Sequence, residues 1–266
     1  DRAGNTQAAV ESYRRVADGQ TGLTLRLVQL LGSLYERSGK QDEARAIYKD
    51  YLKGQPRSNL LDAARARLET GAKPPPEVAS AIDGAAEGLF GLAGSLSQQN
   101  ARETALLLAR MALYLRPDFP MQQILLADLL ESDNRLDAAN RVYEAINPES
   151  PYAWTVRLRI ASNLDQLDQT EEALSRLAAM AGDQPGQAEA LISMGDILRG
   201  HERFDEAVKA YDRAVARIQK LEKRHWRLLY SRGIALERSK NWPRAEADFL
   251  KALEFEPEQP FLLNYL

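Results

Sequence analysis

Between Trp226 and Gln259 the chain reads WRLLYSRGIALERSKNWPRAEADFLKALEFEPEQ, and its apolar positions form two helical stripes separated by a short polar turn. The first stripe is Leu229, Gly233 and Leu236. The second is Ala245, Phe249, Ala252 and Leu253, ending at Pro257. Spacings of three and four residues put each set on one face of a helix. Two such helices joined by a turn cannot bury their own apolar faces, so the pair needs copies of itself on either side.

The copies are present. An alanine opens each second helix, at Ala9, Ala44, Ala105, Ala139, Ala173, Ala207 and Ala245, in steps of 35, 61, 34, 34, 34 and 38 residues. Four residues after these alanines come Tyr13, Tyr48, Ala109, Tyr143, Leu177, Tyr211 and Phe249. Twelve residues before the last six stand Gly32, Ala93, Ala127, Ala161, Gly195 and Gly233, always small. Three further on come Tyr35, Leu96, Leu130, Leu164, Leu198 and Leu236. Pro56, Pro117, Pro151, Pro185 and Pro257 follow the alanines by twelve residues, with Gln219 as the departure. Small residues let two antiparallel helices approach closely, the larger positions pack beside the crossing, and proline stops the second helix. The fold class predicted is all-α, built of stacked antiparallel helix pairs.

This pattern resembles the tetratricopeptide repeat family of the bacterial type. Its unit is 34 residues, with small residues at the eighth, twentieth and twenty-seventh positions, and the likeness covers nearly the whole chain. The departures are Tyr51, Ile146 and Met180 at the third small position, Arg232 at an apolar one, and Gln123 and Arg157 where an aromatic residue or leucine is usual. The resemblance implies a right-handed superhelical solenoid spanning residues 1–266 as one domain. Its repeats are expected at about 1–24 (partial), 25–58, 86–119, 120–153, 154–187, 188–225, 226–259 and 260–266 (partial), with an insert at 59–85.

Two places break the period. In the insert, Ser58 is expected to cap a helix over Asn59–Glu69 that carries Leu60, Leu61, Ala64 and Leu68 on one face. Gly71 and the run Lys73-Pro74-Pro75-Pro76 end it. We read the insert as a spacer that re-aims one half of the array; the alternative is that its proline-rich turn is itself a recognition segment. Before the 38-residue step, the helix from Phe204 is expected to run about a turn longer. It then reaches Arg217, Lys220, Lys223, Arg224 and Arg227, which with Glu222 read as a solvated outer face. The apolar stretch Ala85–Leu96 reads as a buried helix, in which Gly84, Gly88, Gly91 and Gly94 make a smooth face for close packing.

Composition narrows the function classes. The 266 residues are 44% hydrophobic and 27% charged, with a net charge of −3 and no cysteine. No global attraction to nucleic acid or anionic lipid is expected, and disulfides, thiolate catalysis and cysteine-bound metals are excluded. No run approaches the roughly 18–20 apolar residues that span a bilayer. The chain starts at Asp1 and stops at FLLNYL, so both ends look cut and the sequence reads as a fragment. The absence of cysteine leans slightly toward an exported, periplasmic protein over a cytoplasmic one.

The search for catalysis finds two histidines, His201 and His225, in polar surroundings near helix ends. His201 falls in a turn and is expected to be exposed. Phosphate-loop, nucleophile-elbow and zinc-protease motifs are absent. Acidic pairs such as Asp128 with Glu131, or Glu171 with Glu172, are ordinary at this charge density. No catalytic residue, cofactor or metal is expected, and the chain is read as no enzyme.

What the resemblance does imply is a concave groove lined by the second, fifth, ninth and twelfth residues of each first helix. The fifth positions are Gln29, Phe90, Ile124, Leu158, Ile192 and Tyr230. The ninth are Ser33, Gly94, Asp128, Ser162, Asp196 and Ile234, and the twelfth are Glu36, Ser97, Glu131, Asp165, Arg199 and Glu237. The lysine and asparagine that clamp chaperone carboxylates in one subgroup are missing at the fifth and ninth places. We therefore expect an apolar stripe of Phe90, Ile124, Leu158, Ile192 and Tyr230 edged by Asp128, Glu131, Asp165 and Asp196. Such a stripe suits an amphipathic helix or extended peptide with apolar anchors and basic flanks. The expected function is a non-catalytic interaction scaffold or adaptor with a protein partner, no nucleic acid and no membrane insertion. The alternatives are a regulatory or substrate-presenting module of a larger enzyme or assembly, or a structural protein that self-associates through exposed solenoid ends.

Overall fold

The computed structural model describes residues 6–18, 24–56 and 58–263, and among these every regular element is helical. The chain divides into two compact units, Asp1–Asp133 with Glu144–Ala153, and Asn134–Tyr143 with Trp154–Leu266. In the first unit the helices are α1 (Thr6–Asp18), α2 (Leu25–Arg37), α3 (Gln41–Gly54), α4 (Asp62–Thr70), α5 (Ala81–Gln98), α6 (Arg102–Leu115) and α7 (Pro120–Ser132). The second holds α8 (Leu136–Glu144, its last residue counted with the first unit) and α9 (Ala153–Gln166, likewise its first). It continues with α10 (Thr170–Asp183), α11 (Glu189–Gly200), α12 (Phe204–Arg217), a 3-10 turn (Lys223–His225), α13 (Trp226–Arg238), α14 (Trp242–Phe255) and α15 (Pro260–Leu263). In the first unit α2 packs on α3, α5 on α6 and α6 on α7. In the second, α10 to α14 pack each on the next. No described helix is long and apolar enough to cross a membrane.

The alanines that set the period sit where helices meet. Ala44, Ala105, Ala139, Ala173, Ala207 and Ala245 are fully buried. The glycines at the facing position have a sharper reason. A Cβ on Gly195 would lie 2.4 Å from the Tyr211 ring, one on Gly233 would lie 2.5 Å from Phe249, and one on Gly32 would lie 2.2 Å from Tyr48. In these three pairs the second helix sends a whole aromatic ring across the first helix's backbone, and only glycine leaves room. Each ring removed from water contributes on the order of 2–3 kcal/mol.

The turn inside each repeat is equally regular. Gly39, Asn100, Asn134, Asp168, Glu202 and Lys240 all have φ between 56 and 74°, the left-handed conformation that ends a helix. In five of these turns the next amide bonds back to the carbonyl of the leucine or tyrosine five residues earlier, as Lys40 to Tyr35, Ala101 to Leu96, Gln169 to Leu164, Arg203 to Leu198 and Asn241 to Leu236, at 2.8–2.9 Å. Glycine and asparagine fit this conformation readily, whereas Glu202 and Lys240 adopt it against a steric cost.

Three expectations need correction. The insert helix starts at Asp62, three residues later than expected: Asn59 accepts from the Asp62 amide in a tight turn, and the Ser58 hydroxyl meets only the Leu60 amide, at 3.4 Å. The helix from Phe204 does not run on; it stops at Arg217, and Ile218 is already extended. Helix α5 is not a buried helix. Of its residues only Ala86 and Ala93 are buried, and the Cβ positions of Gly88, Gly91 and Gly94 face open space rather than a packed partner. It begins one turn ahead of the repeat pattern because Ser80 and Asp83 form a reciprocal cap: Asp83 donates its amide to Ser80 Oγ at 3.0 Å, and Ser80 donates to Asp83 Oδ2 at 2.7 Å.

Three substitutions test this account by chemical unfolding followed by circular dichroism. Gly195→Ala is expected to destabilise by about 1–3 kcal/mol because the methyl and the Tyr211 ring cannot both fit. Gly88→Ala, in the open face of a helix, is expected to stabilise by about 0.5–1 kcal/mol. Lys240→Gly relieves the left-handed turn and is expected to gain about 0.5–1 kcal/mol.

Candidate functional site

The side chains expected to line the groove fall in both units, and each unit treats them differently. In the first, Phe90 on α5 is half-buried, and its ring lies 5.2 Å from the buried ring of Phe119. Phe119 in turn packs against two guanidinium groups, Arg116 at 4.7 Å and Arg26 at 5.3 Å. Arg26 is nearly buried and pairs with Glu87 and, at 2.9 Å, with Glu77; Arg116 reaches Glu87 at 3.2 Å. Phe90 therefore belongs to a packed aromatic and ionic cluster that joins α2, α5 and the start of α7. Ile124, Asp128 and Glu131 on α7 are all half-buried.

In the second unit Leu158 on α9, Ile192 on α11 and Tyr230 on α13 are half-buried, one from each successive first helix. Tyr230 sits among Trp226 at 6.3 Å and Phe249 at 6.2 Å, at the edge of the core cluster formed by α13, α14 and α15. Ile192 forms part of the wall of a cavity of about 480 Å³.

The carboxylates of this unit are occupied within the fold. Asp165 Oδ1 accepts from the Thr170 hydroxyl at 2.7 Å and from His201 Nε2 at 2.8 Å, which ties the end of α9 to the turn of the following repeat. His201 remains partly exposed there. Asp196 Oδ1 accepts from the Tyr211 hydroxyl at 2.7 Å, and Arg199 Nε donates to the same hydroxyl at 3.4 Å. The tyrosine that crosses Gly195 thus ends on a carboxylate of the opposite helix. Tyr48 repeats the device in the first unit, donating to buried Glu36 at 2.6 Å, with Arg67 Nε on the same carboxylate at 3.1 Å. Burial, and next the facing carboxylates, push the pKa of both tyrosines well above the usual phenol range.

Arg232, out of place against the repeat pattern, is explained by its partners. It makes a two-pronged contact with buried Asp248 at 2.7 Å through each nitrogen, and it reaches Asp212 at 3.0 Å, where Arg244 also bonds. The basic cluster is likewise not simply solvated. Arg217 donates to the carbonyls of Ala181 at 2.9 Å and Gln187 at 2.8 Å, Lys223 pairs with Glu256 at 3.1 Å, and Arg224 pairs with Glu222 at 3.3 Å. Among the described residues, no group of three or more histidines and acids could hold a metal ion.

Comparison with known proteins agrees with this geometry. The sequence model described as tetratricopeptide repeat matches residues 1–59, 158–221 and 192–260. The chain belongs to the tetratricopeptide repeat family. Among solved structures, MamA from Desulfovibrio magneticus RS-1 is 19% identical with a TM-score of 0.52, covering 66% of this chain and 97% of that one. A second MamA crystal structure is 16% identical with a TM-score of 0.51, covering 65% and 93%. The Cut9–Hcn1 hetero-tetramer of the APC/C is 14% identical with a TM-score of 0.50, covering 97% of this chain and 44% of that one. At these identities the likeness is one of fold. Comparison with curated proteins returns no match. Tetratricopeptide repeats are in general non-catalytic interaction modules, which directs attention to surfaces and not to reacting groups.

The ionic clusters around Arg26 and Arg232 escaped the sequence reading, although Arg232 and Asp248 stand sixteen residues apart on facing helices. An arginine at an apolar repeat position is the signal that finds such a pair.

The tyrosine–carboxylate bonds predict an alkaline weakness. An unfolded tyrosine releases its proton near pH 10, while the folded Tyr211 and Tyr48 hold theirs to higher pH. Above pH 10 the unfolded state therefore binds fewer protons, and stability falls as pH rises. Tyr211→Phe is expected to flatten part of that fall in urea midpoints measured between pH 8 and 11.

Proposed function

We propose that the chain is a non-catalytic scaffold that holds a protein segment, an amphipathic helix or an extended peptide, against the first helices of its tetratricopeptide repeats. The observation that carries this reading is the recurrence of a half-buried apolar side chain at the same place in consecutive first helices. Leu158, Ile192 and Tyr230 stand in the second unit, and Phe90 and Ile124 in the first. A repeat that needed this position only for its own core would bury it as fully as Ala161 or Leu198. Within each unit, side chains left half open on successive first helices give a ligand several weak contacts that sum along its length.

The bonding of Asp165 and Asp196 shapes the reading further. Their oxygens already hold His201, Thr170 and Tyr211, so the apolar anchors carry more of the recognition than a basic flank would. Asp128 and Glu131 stand beside Ile124 in the first unit and remain part of the proposed site.

The triple variant Ile124→Ser, Leu158→Ser, Ile192→Ser tests the proposal. In crosslinking pull-downs with the intact chain it is expected to lose the partners that the parent captures. The three side chains are only half-buried, so the fold is expected to survive, which the far-ultraviolet spectrum monitors. An unchanged partner set together with unchanged melting would mean that these side chains hold no ligand.

A further inference from the structure

The cavity beside Ile192 has chemistry that the apolar stripe does not use. Its walls are the loop Gly186–Ala188, the start of α11, the end of α12 and residues 218–225. Helix α11 is twelve residues long and begins without any side-chain cap, so its first amides point out of the helix with the positive end of its dipole behind them. Across the cavity stands His225, only 7% exposed. The Glu222 amide donates to its Nδ1 at 2.8 Å, so that nitrogen accepts and the ring proton is on Nε2. Among the described residues that Nε2 has no acceptor.

The charged side chains around the cavity are Arg217, Lys220, Arg224, Glu189 and Glu222. Arg217 is spent on the carbonyls of Ala181 and Gln187, and Arg224 is paired with Glu222. Glu189 and Lys220 are exposed, and the three cations and two carboxylates together leave the cavity lining one cation more than anions.

We propose that this cavity receives the carboxylate of an aspartate or glutamate side chain from the polypeptide held along α11. The α11 amides, Nε2 of His225 and Lys220 are its donors. A single surplus of positive charge matches a monoanion, and Ile192, shared between the cavity and the apolar stripe, places an acidic residue next to an apolar anchor. The source of the carboxylate rests on the scaffold reading above; the donor set does not.

Ring nitrogen spectra of the full chain test it, because the protein has only two histidines, His201 and His225, and His201→Gln assigns them. The probes are N-acetyl-glutamate methylamide, its glutamine counterpart and inorganic phosphate. The glutamate probe is expected to shift the His225 signals saturably and leave His201 in place, while the glutamine probe does nothing. Lys220→Glu, at an exposed position, is expected to weaken that response roughly fivefold. No His225 response, an equal response to the glutamine probe, an unchanged response in Lys220→Glu, or tighter binding of phosphate would each overturn the proposal. If the serine triple variant retained every partner while His225 still answered the glutamate probe, the scaffold reading alone would fail. If partners were captured but His225 stayed silent, the cavity alone would.

Discussion

The close crossing of two helices at a residue with little or no side chain is the constraint on which each repeat depends. At Gly195 and Gly233 the neighbouring helix lays an aromatic ring directly over the backbone, and at Ala105, Ala173 and Ala207 the helices meet with no exposed surface between them. Such contacts fix distance and angle together, because the ring has one gap to enter and the backbone cannot retreat without breaking helical hydrogen bonds. The rest of a repeat, including its left-handed turn and its polar pairs, follows from two helices held in that relation.

Polar groups then act as fasteners where apolar packing runs out. Tyr211 passes over Gly195 and ends on Asp196; Tyr48 passes over Gly32 and ends on Glu36, where Arg67 also binds. Arg232 and Asp248 form a nearly buried pair, with Asp212 of the preceding repeat on the same guanidinium. Buried pairs of this kind add little net stability, but removing one partner costs several kcal/mol, so they specify which helix packs where. Groups that a sequence reading assigns to ligand recognition can thus also bond within the fold, as Asp165 and Asp196 do.

What could be read from the sequence was what repeats. The buried alanines, the glycines facing Tyr211 and Phe249 and the helical fold all followed from a spacing seen many times over. Single events were harder. The start of α4 depended on a local turn at Asn59, and the end of α12 on Ile218 turning extended; neither has a second copy to compare with. The glycines of α5 were read as a packing face because small residues usually mark one, yet Gly88 and Gly91 face open space. Leu158, Ile192 and Tyr230 were expected one to each first helix, and they stand half-buried on α9, α11 and α13. The occupation of Asp165 by His201 was not, because that bond joins residues thirty-six apart through turn geometry.

Arg217 has one consequence beyond its own helix. Its guanidinium closes the carbonyls at the end of α10 and in the loop behind it, although it belongs to α12. Were α12 to fray, those oxygens would lose their donors, and the last turn of α10 would loosen with it. Amide protons of the two segments should therefore exchange with solvent as one group, so that this stretch opens in steps larger than a single helix.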